Sequence, residues 1–217
     1  MREDLTEVIF VLDRSGSMGS CVEGTIEGFN SFLTEKEGMA GEVRVSLYQF
    51  DNVHDTLYEY KNIDDAPLLT HETFIPRGAT ALYDAIGRTI NRVKERISNM
   101  QEENSPSRVI FVIITDGHEN ASSEFTNETI KTLIEQQTKD DNWLFTYLGA
   151  NQDAVLASSD MGISFGNTAN YSSNNIGTRA AFDAVNTGIV RCCNMDSKIT
   201  CDSFYDGDIK EGTSVNG

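Results

Sequence analysis

Val8-Ile9-Phe10-Val11-Leu12-Asp13-Arg14-Ser15-Gly16-Ser17-Met18 is a run of five apolar residues that stops at a carboxylate and continues with two hydroxyls at alternate positions. A short apolar run bounded by turn residues reads as a buried parallel strand. In open α/β sheets, ligands collect at the carboxyl ends of such strands. Asp13, Ser15 and Ser17 offer only oxygen donors, and a tight turn through Gly16 can aim all three at one point. Oxygen-only ligation suits a hard cation such as Mg²⁺ better than zinc or copper.

Two later segments carry related residues. Thr80 stands in Arg77-Gly78-Ala79-Thr80-Ala81-Leu82, and Asp116 ends the apolar run in Val109-Ile110-Phe111-Val112-Ile113-Ile114-Thr115-Asp116-Gly117. Asp-x-Ser-x-Ser after a hydrophobic strand, then a threonine on a later loop and an aspartate after a later strand, resembles a von Willebrand factor A (vWA) domain. In that family these residues form the metal-ion-dependent adhesion site, or MIDAS. A lone Asp-x-Ser-x-Ser recurs by chance; three segments in order, each beside the right kind of element, carry far more weight.

The resemblance covers roughly residues 6–192. It implies an α/β fold: a doubly wound (Rossmann-like), mostly parallel six-stranded sheet with one antiparallel edge strand and helices on both faces. The family strand order is 3-2-1-4-5-6, which places the first strand beside the fourth. The implied metal set is Asp13, Ser15, Ser17, Thr80 and Asp116, holding Mg²⁺, with Mn²⁺ or Ca²⁺ as substitutes. Within the family the chain is most similar to compact stand-alone proteins of bacteria and their phages, including tellurium-resistance-associated ones.

Composition narrows the function classes. A chain of 217 residues fits one large domain or a domain with a tail, and 39% hydrophobic content is enough for a substantial core. Seventeen basic against 34 acidic residues give a net charge of −17. Such a field opposes nucleic-acid phosphates and anionic membranes and concentrates cations. No stretch approaches transmembrane length, and Met1-Arg2-Glu3-Asp4 runs into the first strand without a signal-peptide pattern. A cytoplasmic protein is the expectation. Cys21, Cys192, Cys193 and Cys201 form no zinc-type spacing, and adjacent Cys192 and Cys193 read as packing residues at a helix end.

Hydrophobic periodicity supplies the remaining elements. Val22, Ile26, Phe29 and Leu33 predict a helix over 21–36 with Ser20 as its N-cap. Val43–Phe50 alternates as a strand, and Asp55–Tyr60 follows after so short a link that the pair must be antiparallel. Residues 61–80 form a polar loop that delivers Thr80, as ligand or as cap, to a helix striped by Leu82, Ile86, Ile90, Val93 and Ile97. After the strand at 109–114, Thr126 caps a helix with Ile130, Leu133 and Ile134. A strand at Trp143–Gly149, a short helix around Asp153–Met161, a weak strand near Ile163–Phe165 and a helix near Ile176–Arg191 complete the alternation. Residues 1–192 are therefore assigned to the vWA domain and 193–217 to a loose acidic tail carrying Asp196, Asp202, Asp206, Asp208 and Glu211.

The function this implies is a metal-dependent protein–protein interaction module without enzymatic activity. Two carboxylates and three hydroxyls leave coordination positions on Mg²⁺ for water, and the resemblance implies that an Asp or Glu of a partner protein replaces one of them. Neighbouring residues have two readings each. Arg14 either meets an acidic partner or is a solvated surface arginine. His118 and Glu119 are partner contacts or ordinary loop residues. Asp84 either supports the site or is a first-turn acid favoured by the helix dipole.

Four alternatives stand beside this reading. A Mg²⁺-dependent phosphatase of the haloacid-dehalogenase kind uses Asp-x-Asp; here Ser15 takes the second position, and a hydroxyl is no general acid near neutrality. No Walker lysine and no Gly-x-Gly-x-x-Gly accompanies the turn, so nucleotide binding is weaker still. A vWA scaffold with a purely structural metal would keep partner binding without the ion. Self-association would have Asp206 or Asp208 fill a neighbouring molecule's site.

Overall fold

Val8 through Leu12 are fully buried whichever side of the strand they point to, which places β1 (Arg2–Asp13) at the centre of a sheet covered on both faces. The computed structural model describes residues 2–150, 154–195 and 203–205. The chain continues through α1 (Val22–Thr34), β2 (Glu42–Phe50), β3 (His54–Asn62), α2 (Leu82–Ser98) and β4 (Pro106–Thr115). Then come α3 (Asn127–Asp140), β5 (Leu144–Gly149), α4 (Ala154–Asp160), β6 (Thr168–Asn170) and α5 (Asn175–Cys193). The sheet has six strands in the order β3-β2-β1-β4-β5-β6. All neighbours are parallel except β2 and β3, which pair antiparallel at the edge.

Alternation along β1 sorts its side chains between two cores. Phe10 meets Phe29 and Phe32 of α1 at ring-centroid distances of 5.1 and 4.9 Å, and Phe182 of α5 joins the same cluster. On the other face Ile9 and Val11 pack with Ile86 and Ile90 of α2 and with Ile130 and Ile134 of α3. Phe111 stacks there on Phe145 at 4.9 Å. The chain thus leaves β1 toward one face and β4 toward the other. With Leu12 opposite Ile114, the two strands end nearly level. A crevice opens at that divergence, the topological switch point of the sheet.

The helices and strands fall where periodicity places them, with two differences. Ser20 does not cap α1: residues Gly16–Ser20 form a 3-10 turn, and the N-cap position belongs to Cys21. The weak strand expected at Ile163–Phe165 lies later, at Thr168–Asn170. Ile163 is instead buried against the α3 side, and Phe165 opens a 3-10 turn. Apolar character there reports core packing rather than sheet pairing, whereas β6 is held to β5 through a polar stretch with little strand signal.

Phe204 and Tyr205, which the sequence places in the tail, are buried in the α1–α5 core. Phe204 lies against Gly188, where a side-chain carbon would sit 2.5 Å from its ring. Its N–H donates to Asn167 Oδ1 at 2.9 Å, and Thr146 Oγ1 donates to the Tyr205 hydroxyl at 2.6 Å. Asp153, Asp196, Cys201, Asp202, Asp206, Asp208 and Glu211 lie outside the described residues. Among the described residues no helix is long and apolar enough to cross a membrane.

Deleting a fully buried phenyl ring costs about 3–5 kcal/mol. Phe204→Ala is therefore expected to lower unfolding stability by about that amount in urea titration. A loss below about 1 kcal/mol would show that the 203–205 segment contributes little to the core.

Candidate metal centre at the carboxyl edge of the sheet

Asp13 is the last residue of β1 and is 0% exposed. Its Oδ1 accepts the Ser15 N–H at 2.6 Å, and its Oδ2 accepts the Thr115 hydroxyl, from the adjacent end of β4, at 2.5 Å. Burial is the largest influence on this carboxyl and, with nearby Asp116, outweighs those donors, so the pKa rises to about 6. Among the described residues no Lys or Arg pairs with Asp13.

The four other expected site residues converge on the same crevice. Ser15 Oγ and Ser17 Oγ are 3.1 Å apart, and Ser17 Oγ donates to Asp116 Oδ1 at 2.5 Å. Gly117 shows where the hydroxyls point. A side-chain carbon at that residue would lie 2.9 Å from Thr80 Oγ1, 3.3 Å from Ser17 Oγ and 3.7 Å from Ser15 Oγ. Three hydroxyls from two loops thus surround one small space that a methyl group would fill. Thr80 reaches it as a loop residue and not as a helix cap, since the N-cap of α2 is Ala81.

Two sets of contacts hold the Thr80 loop against the β1 turn. Gly16 N–H donates to Gly78 O at 3.2 Å and Arg77 N–H to Arg14 O at 2.8 Å. Gly78 has φ +69, and a side-chain carbon there would fall 2.1 Å from Asn52 Oδ1, so the turn requires glycine. Beneath it, Asp51 Oδ2 accepts from Arg14 Nε at 3.1 Å and Arg77 Nε at 2.9 Å. Burial acts to raise the Asp51 pKa, but the Arg77 contact, the Val53 N–H and Arg14 outweigh it and hold it below its ordinary value. Arg14 is thus neither a solvated arginine nor free to meet a partner. It is 7% exposed and also paired with Asp55.

The loop after β4 is fastened to α2 in the same way. Asn120 brackets Thr80, accepting its N–H at Oδ1 (2.9 Å) and donating its own N–H to Thr80 O (3.0 Å). Glu119 accepts the Tyr83 N–H at the start of α2 and the Ala121 and Ser122 N–H groups of its own loop, while His118 is exposed. Asp84 reciprocates, accepting the N–H groups of Ser123, Glu124 and Phe125. Burial would raise its pKa, and those three donors outweigh it and lower it. Asp84 and Glu119 are therefore supports of the Thr80 and Asp116 loops.

Ser173, between β6 and α5, also enters the site, donating to Asp116 Oδ2 at 3.0 Å. Nothing in its polar surroundings, Tyr171-Ser172-Ser173-Asn174-Asn175, singles it out in the sequence. Only the course of the last crossover brings it here.

The family model for von Willebrand factor type A domains matches residues 8–118, just over half of the chain. The chain belongs to the von Willebrand factor type A family. No curated protein matches it. Among solved structures, this vWA chain is similar to the vWF domain of the type V pili tip protein Mfa5 from Porphyromonas gingivalis. The TM-score is 0.61 at 13% identity, over 90% of this chain and 98% of that one. It also resembles proximal thread matrix protein 1 from the mussel byssus, with a zinc-occupied MIDAS motif (TM-score 0.57, 14% identity, 87% of this chain and 46% of that one). A third likeness is to manganese-loaded TRAP protein from Plasmodium vivax (TM-score 0.52, 12% identity, 84% and 74%). The chain spans about half the length of the mussel protein. At these identities the likenesses establish the fold.

The donor set fits a divalent cation. It comprises two carboxylates, Asp13 and Asp116, and the hydroxyls of Ser15, Ser17 and Thr80 around one space, all oxygen. The metal-free vWA domain therefore carries a buried carboxylate whose ionised form is disfavoured by the fold. The unfolded chain releases this proton near pH 3.8 and the folded chain near 6. Over that interval the folded state binds more protons, so this group's contribution to stability is present at low pH and is lost as pH rises toward 6. Asp13→Asn is expected to stabilise the EDTA-treated protein at pH 7 by about 1–3 kcal/mol and to flatten its melting-temperature profile between pH 4 and 7. An unchanged or lower melting temperature at pH 7 would contradict this.

Proposed function

We propose that this vWA domain is a metal-dependent protein-interaction module. A divalent cation, Mg²⁺ in the cell with Mn²⁺ or Ca²⁺ as substitutes, is held by Asp13, Ser15, Ser17, Thr80 and Asp116. An Asp or Glu carboxylate of a partner protein completes its coordination. The observation that carries this reading is the cradle at Gly117, where three hydroxyls from two loops face one space beside a buried carboxylate.

The bound ion would supply positive charge that offsets the cost of ionised Asp13 and a coordination position for an incoming oxygen anion. The chain's own residues do the rest. Thr115 and the Ser15 N–H orient Asp13, Asn120 fixes Thr80, and the Asp51 pairs clamp the two loops together. A partner carboxylate arriving at a protein with net charge −17 is repelled in general, so binding depends on the ion at this one locus.

We read the site as one for binding and not for catalysis. Ser15 stands where a phosphatase of Asp-x-Asp type places its acid, and a hydroxyl is no general acid near neutrality. A reducing, cytoplasmic setting suits the buried thiols of Cys21 and Cys193.

The test uses the whole chain. Calorimetric titration with Mn²⁺ is expected to give one saturable site in the wild type. Asp13→Ala should abolish it, and Gly117→Ala should weaken it by about tenfold or more with the fold intact by circular dichroism. Proteins captured from source-cell lysate in Mg²⁺ should be released by EDTA and absent with Asp13→Ala. Capture that is equal in all three conditions would remove the metal from the binding mechanism.

A further inference from the structure

We infer that Ser173 is a positioning residue of the metal centre, contributed by the loop between β6 and α5. This inference rests on the metal-binding reading above and adds a residue to it. Asp116 closes the site from β4, and its two carboxylate oxygens take different hydroxyls: Ser17 on Oδ1 at 2.5 Å and Ser173 on Oδ2 at 3.0 Å. Ser17 belongs to the donor set itself. Ser173 does not, so its hydroxyl sets the rotation of the Asp116 carboxylate from outside the set.

The proton inventory fixes the direction of this contact. A carboxylate only accepts, so the single Ser173 O–H proton is committed to Asp116. Ser20, whose Oγ lies 3.1 Å from Ser173 Oγ, must then be the donor to it. The Ser173 carbonyl oxygen lies 3.2 Å from the same Ser20 Oγ, so the two Ser173 oxygens compete for the one Ser20 proton. The loop is anchored on its other side as well. Asn175 Oδ1 accepts the Gly24 N–H of α1 at 3.0 Å, and Gly24 has no room for a side-chain carbon, which would sit 2.3 Å from the Asn175 carbonyl oxygen. Asn174 caps α5 by accepting the Gly177 N–H. Ser173 is therefore a hydroxyl at a fixed place, aimed at one oxygen of Asp116. Groups that orient a metal-bound carboxylate in this manner typically change metal affinity by about 10–100-fold when removed.

The test compares Ser173→Ala with Ser173→Thr, which restores the hydroxyl. Mn²⁺ affinity is read by calorimetry, and the bound ion's environment by electron paramagnetic resonance line shape. Unfolding in EDTA serves as the control for a merely structural effect. Ser173→Ala is expected to bind Mn²⁺ about tenfold more weakly with an altered line shape, while its metal-free melting temperature matches wild type. Ser173→Thr should recover affinity to within about threefold and the wild-type line shape. If the wild type binds Mn²⁺ and Ser173→Ala binds it equally well, or Ser173→Thr fails to recover, the positioning role is wrong while the metal site stands. If the wild type binds no Mn²⁺, both readings fall.

Discussion

Asp13 is a carboxyl group carried into a fully buried strand end of the sheet, and its partners there among the described residues are an amide and a hydroxyl, not a cationic side chain. Its ionised form is correspondingly disfavoured, with the pKa lifted to about 6 by burial. Fold and site meet in that constraint. β1 must be central for its apolar residues to be covered on both faces, and being central places its terminal carboxylate at the switch point beside β4. An ionised oxygen donor that solvent does not reach is poorly stabilised alone and well suited to a hard cation.

Around it the chain uses charge for geometry. Asp51 draws Arg14 and Arg77 together and thereby fastens the β1 turn to the loop bearing Thr80. Asp84 and Glu119 exchange backbone N–H groups between α2 and the loop after β4, and Asn120 holds Thr80 at both its amide and its carbonyl. These contacts are buried or half-buried and charge-assisted, the kind that limits loop motion. The hydroxyls at the Gly117 cradle thus sit on loops whose positions are set by partners outside the cradle, an arrangement that lowers the cost of assembling oxygen donors around an ion.

Most of the fold was legible because it rests on apolar periodicity: the five residues before Asp13, the run at 109–114 and the stripe of α2 all become core. The five residues proposed as ligands each stand beside such a signal, and the fold brings them to one crevice. The supports were harder to read. Arg14, which in the sequence has the look of a surface group, is buried because the β2–β3 hairpin brings Asp51 and Asp55 to it, and sequence proximity does not reveal that pairing. Ser173 was hidden because β6 is three residues of polar character, and misplacing that strand at Ile163–Phe165 also loses the loop that follows it. Phe204 and Tyr205 sit among acidic and small residues whose composition argues for a tail, yet two aromatic rings filling the space beside Gly188 pack that part of the chain into the core.

On the proposed function, the space among Ser15, Ser17, Thr80, Asp13 and Asp116 holds a divalent cation. Anomalous diffraction at the manganese edge, from crystals of the whole chain grown with Mn²⁺, tests it most directly. One strong peak is expected within about 2.0–2.6 Å of hydroxyl or carboxylate oxygens of this set, in the space that a Gly117 side chain would fill. A crystal containing Mn²⁺ with no peak there, or with its strongest peak elsewhere on the acidic surface, would contradict it.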